Sequence, residues 1–217
     1  MSNFCFLKIS LRATIFIRKK GAIQMVSFTG CLAAMIYALV GGPSSGKTSI
    51  IKELEKRKEN VIHEAATDWI MRKIEAGVSE PWKEESFALD ILKIQLEREQ
   101  PWLLCKEDRV FVDRGIFDIY PFAKTFALAG TKTLAEVNQM LNPIDLNERY
   151  KAIFFIMPHS VNFSTVQTEI RRESTQEAAV LEAATYAMYC QHGNFILVPG
   201  GMSPTERADF ILKKIEW

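Results

Sequence analysis

Residues Gly41, Gly42, Pro43, Ser44, Ser45, Gly46, Lys47 and Thr48 spell G-x-x-x-x-G-K-T, the pattern of a loop that wraps phosphate in backbone amides. Its glycines admit a turn whose N–H groups point inward, Lys47 reaches the terminal phosphates, and the Thr48 hydroxyl joins a Mg²⁺ shell. Ser49 carries the loop into a helix whose N-terminal dipole adds to anion binding. Two carboxylates stand where such chemistry would use them. Asp113 ends the apolar run Arg109-Val110-Phe111-Val112 and is placed to hold Mg²⁺ beside Thr48. Glu64 ends Asn60-Val61-Ile62-His63 and reads either as a general base toward a substrate hydroxyl or as a second neighbour of the metal. Arg114 and Asp118 follow Asp113 closely and are expected on the substrate side. Arg171 and Arg172 have two readings: guanidinium groups of a lid closing on the transferred phosphate, or a solvated helix face paired with Glu169, Glu173 and Glu177. Trp69, Trp82 and Phe122 could meet a ring, but packing is the expected role of each.

These residues need rigid elements to aim them. The apolar run 35–40 ends directly on the loop and reads as a buried strand, with an amphipathic helix after it carrying Ile50, Ile51 and Leu54 on one face. Further strands are expected over 60–64, 109–113, 152–157 and 195–198. Helices are expected over 65–75, 84–105, 117–128, 133–141, 165–191 and 203–217, the last with Ser203 as N-cap and Pro204 in the first turn. Alternating strand and helix implies a parallel sheet covered on both faces. Ligands in such sheets bind at the carboxyl ends of the strands, which is where the loop, Glu64 and Asp113 fall.

The chain has 217 residues with 27 basic and 26 acidic side chains, a near-neutral balance that argues against a strongly basic nucleic-acid binder. The balance is uneven along the chain: Lys8, Arg12, Arg18, Lys19, Lys20, Lys47 and Lys52 all precede the first acid, Glu53. An acid-free basic start followed by the uncharged run 21–46 has the outline of a signal anchor. However, residues 35–40 must be the strand feeding the phosphate loop, and Gln24, Ser27, Thr29 and Gly30 make 22–34 a poor membrane helix. Residues 1–34 are therefore expected to be an extension outside a core domain of 35–217, either loosely packed, a short extra element, or upstream of a true start at Met25 or Met35. Cys5, Cys31, Cys105 and Cys190 are widely spaced and form no cluster with His63, His159 or His192, so neither a zinc site nor a disulfide framework is expected.

Three segments in order, 38–48, Val61-Ile62-His63-Glu64-Ala65-Ala66 and Phe111-Val112-Asp113-Arg114-Gly115 with Asp118, resemble the compact AAA-domain P-loop ATPases of the nicotinamide-riboside-kinase-like type. The resemblance runs from about Met35 to the C-terminus and includes Arg171-Arg172-Glu173. It implies a three-layer α/β/α P-loop NTPase fold with a five-stranded parallel sheet and a helical lid. It also implies ATP and Mg²⁺ as cofactors and phosphoryl transfer to a small nucleoside-like or other hydroxyl-bearing metabolite. A nucleotide-dependent regulatory ATPase acting on a partner protein is the alternative. Nucleotide and small-molecule ligands, no nucleic acid, no membrane and a cytoplasmic location complete the expectation. Thr67, followed by Asp68, stands where such proteins usually carry an arginine.

Overall fold

The computed structural model describes the backbone of residues 14–19 and 22–27, and residues 35–103, 108–126, 131–158 and 174–216. The chain divides into two compact units, Met1–Ala33 and Ala34–Trp217. In the first, β1 (Thr14–Lys19) and β2 (Ala22–Ser27) pair antiparallel with Thr14 opposite Ser27 and Lys19 opposite Ala22. The segment 22–27, weighed above as a membrane helix and rejected, is thus a strand. No helix among the described residues is long and apolar enough to cross a membrane.

The second unit is built on five parallel strands: β3 (Met35–Val40), β4 (Asn60–Ile62), β5 (Arg109–Asp113), β6 (Ala152–Ile156) and β7 (Phe195–Val198), in the spatial order β4-β5-β3-β6-β7. The central strands are apolar because both of their faces are covered. Along β3, Ile36, Ala38 and Val40 point to one face, and Tyr37 and Leu39 to the other. Against the Tyr37 face pack α1 (Lys47–Lys56), through Ile50, Ile51 and Leu54, and α8 (Pro204–Ile215), through Ala208 and Ile211. Against the other face pack α3 (Phe87–Glu99), α4 (Ile119–Phe126), α5 (Thr131–Leu141) and α7 (Thr175–Tyr189), with Leu92, Ala123, Val137 and Tyr189 buried. A smaller cluster joins α2 (Ala65–Glu75) to α3 through Trp69, Ile70 and Phe87. The expected α/β/α fold is therefore the fold of residues 35–217.

The differences from expectation lie at boundaries. Strand β4 stops at Ile62 because its register with β5 ends there, which leaves Glu64 free to lead into α2. Strand β6 stops one residue short of the expected end, at Ile156. The expected helix 84–105 is confined to α3, followed by a 3₁₀ turn over Gln100–Leu103. Another 3₁₀ turn, Ile116–Asp118, precedes α4. A short unexpected helix, α6 (Leu146–Arg149), is capped by Asp145, whose carboxylate accepts from Asn147 N at 2.7 Å. Helix α7 does not start near residue 165: Ser174 is extended and forms a capping box with Glu177, so the helix begins at Thr175. Arg171 and Arg172, the residues expected to serve a lid, lie outside the described residues, as does the whole stretch 159–173.

Candidate functional site

The central strand β3 delivers its last residue, Val40, straight into the G-x-x-x-x-G-K-T loop. Gly41 (φ 141°) and Gly46 (φ 98°) occupy backbone conformations closed to other residues, and a Cβ on Gly41 would lie 2.7 Å from the Ile156 carbonyl oxygen. Gly46 caps α1, so the first amides of that helix have no carbonyl partners within it. Lys47 folds over its own loop: Nζ donates to Gly41 O at 3.0 Å, Gly42 O at 2.7 Å and Ser45 Oγ at 3.2 Å. Burial, with Arg114 nearby, pulls the Lys47 pKa down to about 7, against the pull of Asp113, Glu64 and Asp118. From α7, Glu182 lies against Gly42; burial raises its carboxyl, partly offset by Lys47.

Because β5 pairs directly with β3, its terminal Asp113 comes up beside the loop. Thr48 Oγ1 donates to Asp113 Oδ2 at 2.8 Å, and Asp113 Oδ1 is buried without a hydrogen-bond partner. Burial raises the Asp113 pKa, and Glu64 raises it further. A hydroxyl and a carboxylate with one unsatisfied oxygen are hard donors suited to Mg²⁺, which takes few protein ligands and completes its shell with phosphate and water. Among the described residues no group of three or more His, Cys, Asp or Glu is placed to hold a metal ion by itself.

Arg114, the next residue, sits at φ 75°, its N–H held by Leu39 O at 3.0 Å. That unusual backbone turns its guanidinium across the site: Nε donates to Glu64 Oε1 at 2.5 Å and NH1 to Asp118 Oδ2 at 3.2 Å. Thr67 Oγ1 donates to the other Glu64 oxygen at 2.7 Å. Burial alone would raise the Glu64 pKa, but Arg114, Thr67 and Lys47 outweigh it and hold it at about 2. The departure at Thr67 thus has a local meaning: threonine caps Glu64, and Arg114 supplies the cation. Asp118, buried with Oδ1 unpaired, is pushed up by burial and pulled back by Arg114.

These groups form one wall of a cavity of about 330 Å³ that begins at Pro43 of the phosphate loop. Its other wall is apolar, with Ile70, Trp82, Phe87, Ile91 and Phe122. Of the three aromatics whose expected role is packing with ring contact as the alternative, Trp69 packs in the α2–α3 cluster, whereas Trp82 and Phe122 pack on that cluster and also line the cavity. Nothing local in the sequence separates these cases, because a half-buried ring looks the same in a core stripe and in a pocket wall.

Three further contributions were not legible in the sequence. Gln95 lines the cavity while donating to Glu99 Oε1 at 2.8 Å. Behind it, buried Glu99 pairs with Arg149 at 2.8 Å, and Tyr150 Oη donates to Glu99 and accepts the Ile116 N–H at 2.7 Å. Arg207 of α8 donates to Ser45 O at 2.7 Å from beneath the loop. Each reads in sequence as an ordinary charged or polar helix residue.

A phosphate loop on the central strand of a parallel α/β sheet, with an acid at the end of the adjacent strand, defines the P-loop class. The chain belongs to the AAA domain family, whose profile matches residues 36–205. No curated protein sequence matches it. Among solved structures, the deoxyadenosine kinase from M. mycoides with bound dATP is similar with a TM-score of 0.60 at 14% identity, covering 84% of this chain and 100% of that one. The NadR protein in complex with NAD and AMP-PNP is similar with a TM-score of 0.59 at 13% identity, over 83% of this chain and 49% of NadR, so the chain spans about half of that protein. At these identities the likeness is one of fold.

Proposed function

We propose that the protein is an ATP- and Mg²⁺-dependent kinase that phosphorylates a hydroxyl of a small, ring-bearing metabolite of nucleoside-like type. The observation that carries this reading is the cavity between the phosphate loop and the apolar wall, with Glu64, Arg114 and Asp113 at its polar side. A regulatory ATPase needs a group to position water there, whereas an acceptor needs this enclosed, half-apolar space. The deoxyadenosine kinase with bound dATP and NadR in complex with NAD and AMP-PNP support the choice of ligand class.

In this reading the loop amides and Lys47 hold the β- and γ-phosphates, Lys47 exchanging its own-loop carbonyls for phosphate oxygens. Thr48 and Asp113 would hold Mg²⁺, which supplies charge neutralisation on the phosphates. Arg114 keeps Glu64 ionised, and Glu64 accepts a hydrogen bond from the acceptor hydroxyl, aligning its oxygen with the γ-phosphorus. A carboxylate held at about 2 is a weak base, so its main contribution is orientation, in keeping with a loose phosphoryl-transfer transition state. Trp82 and Phe122 give the ring of the acceptor a face to lie on.

The test is ADP release from ATP and Mg²⁺ across a panel of nucleosides and vitamins. Acceptor-stimulated turnover, lost in Lys47→Ala and with KM for the acceptor raised about tenfold in Phe122→Ala, is expected. Slow turnover indifferent to every acceptor, together with nucleotide-dependent capture of a partner protein, would replace the kinase reading with the regulatory one.

A further inference from the structure

Arg207 combines three unfavourable circumstances. It is only 3% exposed, it makes no salt bridge among the described residues, and it sits in the first turn of α8, where the helix dipole repels a cation. Neighbouring charges of α8 are used otherwise: Glu206 completes the Ser203 capping box, and Asp209 pairs with Arg57 at 2.7 Å. The guanidinium instead spends its donors on two carbonyls, Ser45 O at 2.7 Å through NH1 and Gly200 O at 2.5 Å through NH2, while Nε is buried without a partner. Its NH1 would lie 3.2 Å from a Cβ on Gly46.

The contact with Ser45 has a directional consequence. The described chain contains no cis peptide, and across a trans peptide the carbonyl and the following N–H point in opposite directions. Drawing the Ser45 carbonyl down toward Arg207 therefore turns the Gly46 N–H away from Arg207, to the side on which the loop receives phosphate. Gly46 is where that choice is softest, since glycine at φ 98° resists a peptide flip less than any other residue. Burial also leaves the charge weakly screened by solvent, directly beneath the loop.

We propose that Arg207 is a positioning residue for phosphate binding: it locks the Ser45–Gly46 peptide with its N–H facing the anion and adds an uncompensated positive charge under the loop. This rests on the phosphate-loop reading above and deepens it. The bond to Gly200 O links the same guanidinium to the β7–α8 connection, so the loop and the start of α8 are held as one piece.

Inorganic tripolyphosphate is the probe, because it reports on the loop without a base or an acceptor. Calorimetric titration of the full chain is expected to show binding that is lost in Lys47→Ala. In Arg207→Met the tripolyphosphate Kd should rise at least tenfold, with the circular dichroism spectrum and cooperative thermal unfolding retained. Arg207→Lys keeps the charge but not the two-carbonyl fork and should lie between; it carries the test if the methionine variant does not fold. Kd values within twofold of the unmodified chain in a folded Arg207 variant would overturn the proposal and leave Arg207 as packing only. Absence of tripolyphosphate binding in the unmodified chain, or binding indifferent to Lys47→Ala, would instead defeat the phosphate-loop reading itself.

Discussion

The Lys47 ammonium donates to three oxygens of its own loop, yet burial and the neighbouring Arg114 leave its pKa at about 7, well below the ordinary lysine value of 10.5. Between those two values the unfolded chain binds the proton and the folded chain releases it, so this group makes stability rise with pH from about 7 to 10.5. A polyanionic triphosphate reverses the balance by favouring the ammonium. At pH 8.5, ATP binding is therefore expected to take up close to one proton, read from calorimetry in buffers of different ionisation enthalpy. A binding enthalpy identical in all buffers would show that no proton is taken up and would overturn the expectation that ATP binding charges Lys47. The residue types of this candidate site were legible, and the fold brings Lys47, Thr48, Glu64, Asp113 and Arg114 close together. Their pairing was not, since the bond from Arg114 to Glu64 depends on two strand ends being neighbours.

At the scale of elements, the Glu99–Arg149–Tyr150 cluster ties the end of α3 and the end of α6 to the turn following β5. Arg149 Nε meets Glu99 Oε2 at 2.9 Å, and the Tyr150 hydroxyl holds the Ile116 amide two residues past Arg114. Both charges are buried, so removing one strands the other. Arg149→Met is expected to cost about 3–5 kcal/mol in urea unfolding, and a loss below about 1 kcal/mol would mean that the pair is screened as a surface pair is. Burial raises the Glu99 pKa, which Arg149 and the hydrogen bonds from Gln95 and Tyr150 oppose. Element types followed from periodicity, because a strand buried on both faces and an amphipathic helix differ in pattern over a few residues. Their ends did not: Ser174 starts α7 by a capping geometry, and β4 ends where its ladder with β5 does, one residue before β5 itself ends, neither of which is a property of hydrophobic spacing.

At the scale of the molecule, the five-stranded sheet and the clusters packed on both of its faces lie within residues 34–217. A chain beginning at Met35 is accordingly expected to unfold cooperatively and to bind tripolyphosphate within twofold of the full chain. Loss of folding or binding on removing residues 1–34 would show that the hairpin unit supports the domain. What the sequence determined by itself is what is contiguous: the β3–loop–α1 unit with its glycines, lysine and threonine, the alternation that makes the sheet parallel, and the Ser203 N-cap of α8. What the tertiary structure decided is what strand order decides. Insertion of β5 between β3 and β4 sets Asp113 against Thr48, 65 residues away, and Arg114 against Glu64, 50 residues away. Packing of α8 beside α1 brings Arg207 under Ser45 across 162 residues. Local patterns fix which face of an element is apolar, but not which element it meets, and the cavity and the charge beneath the loop arise from those meetings.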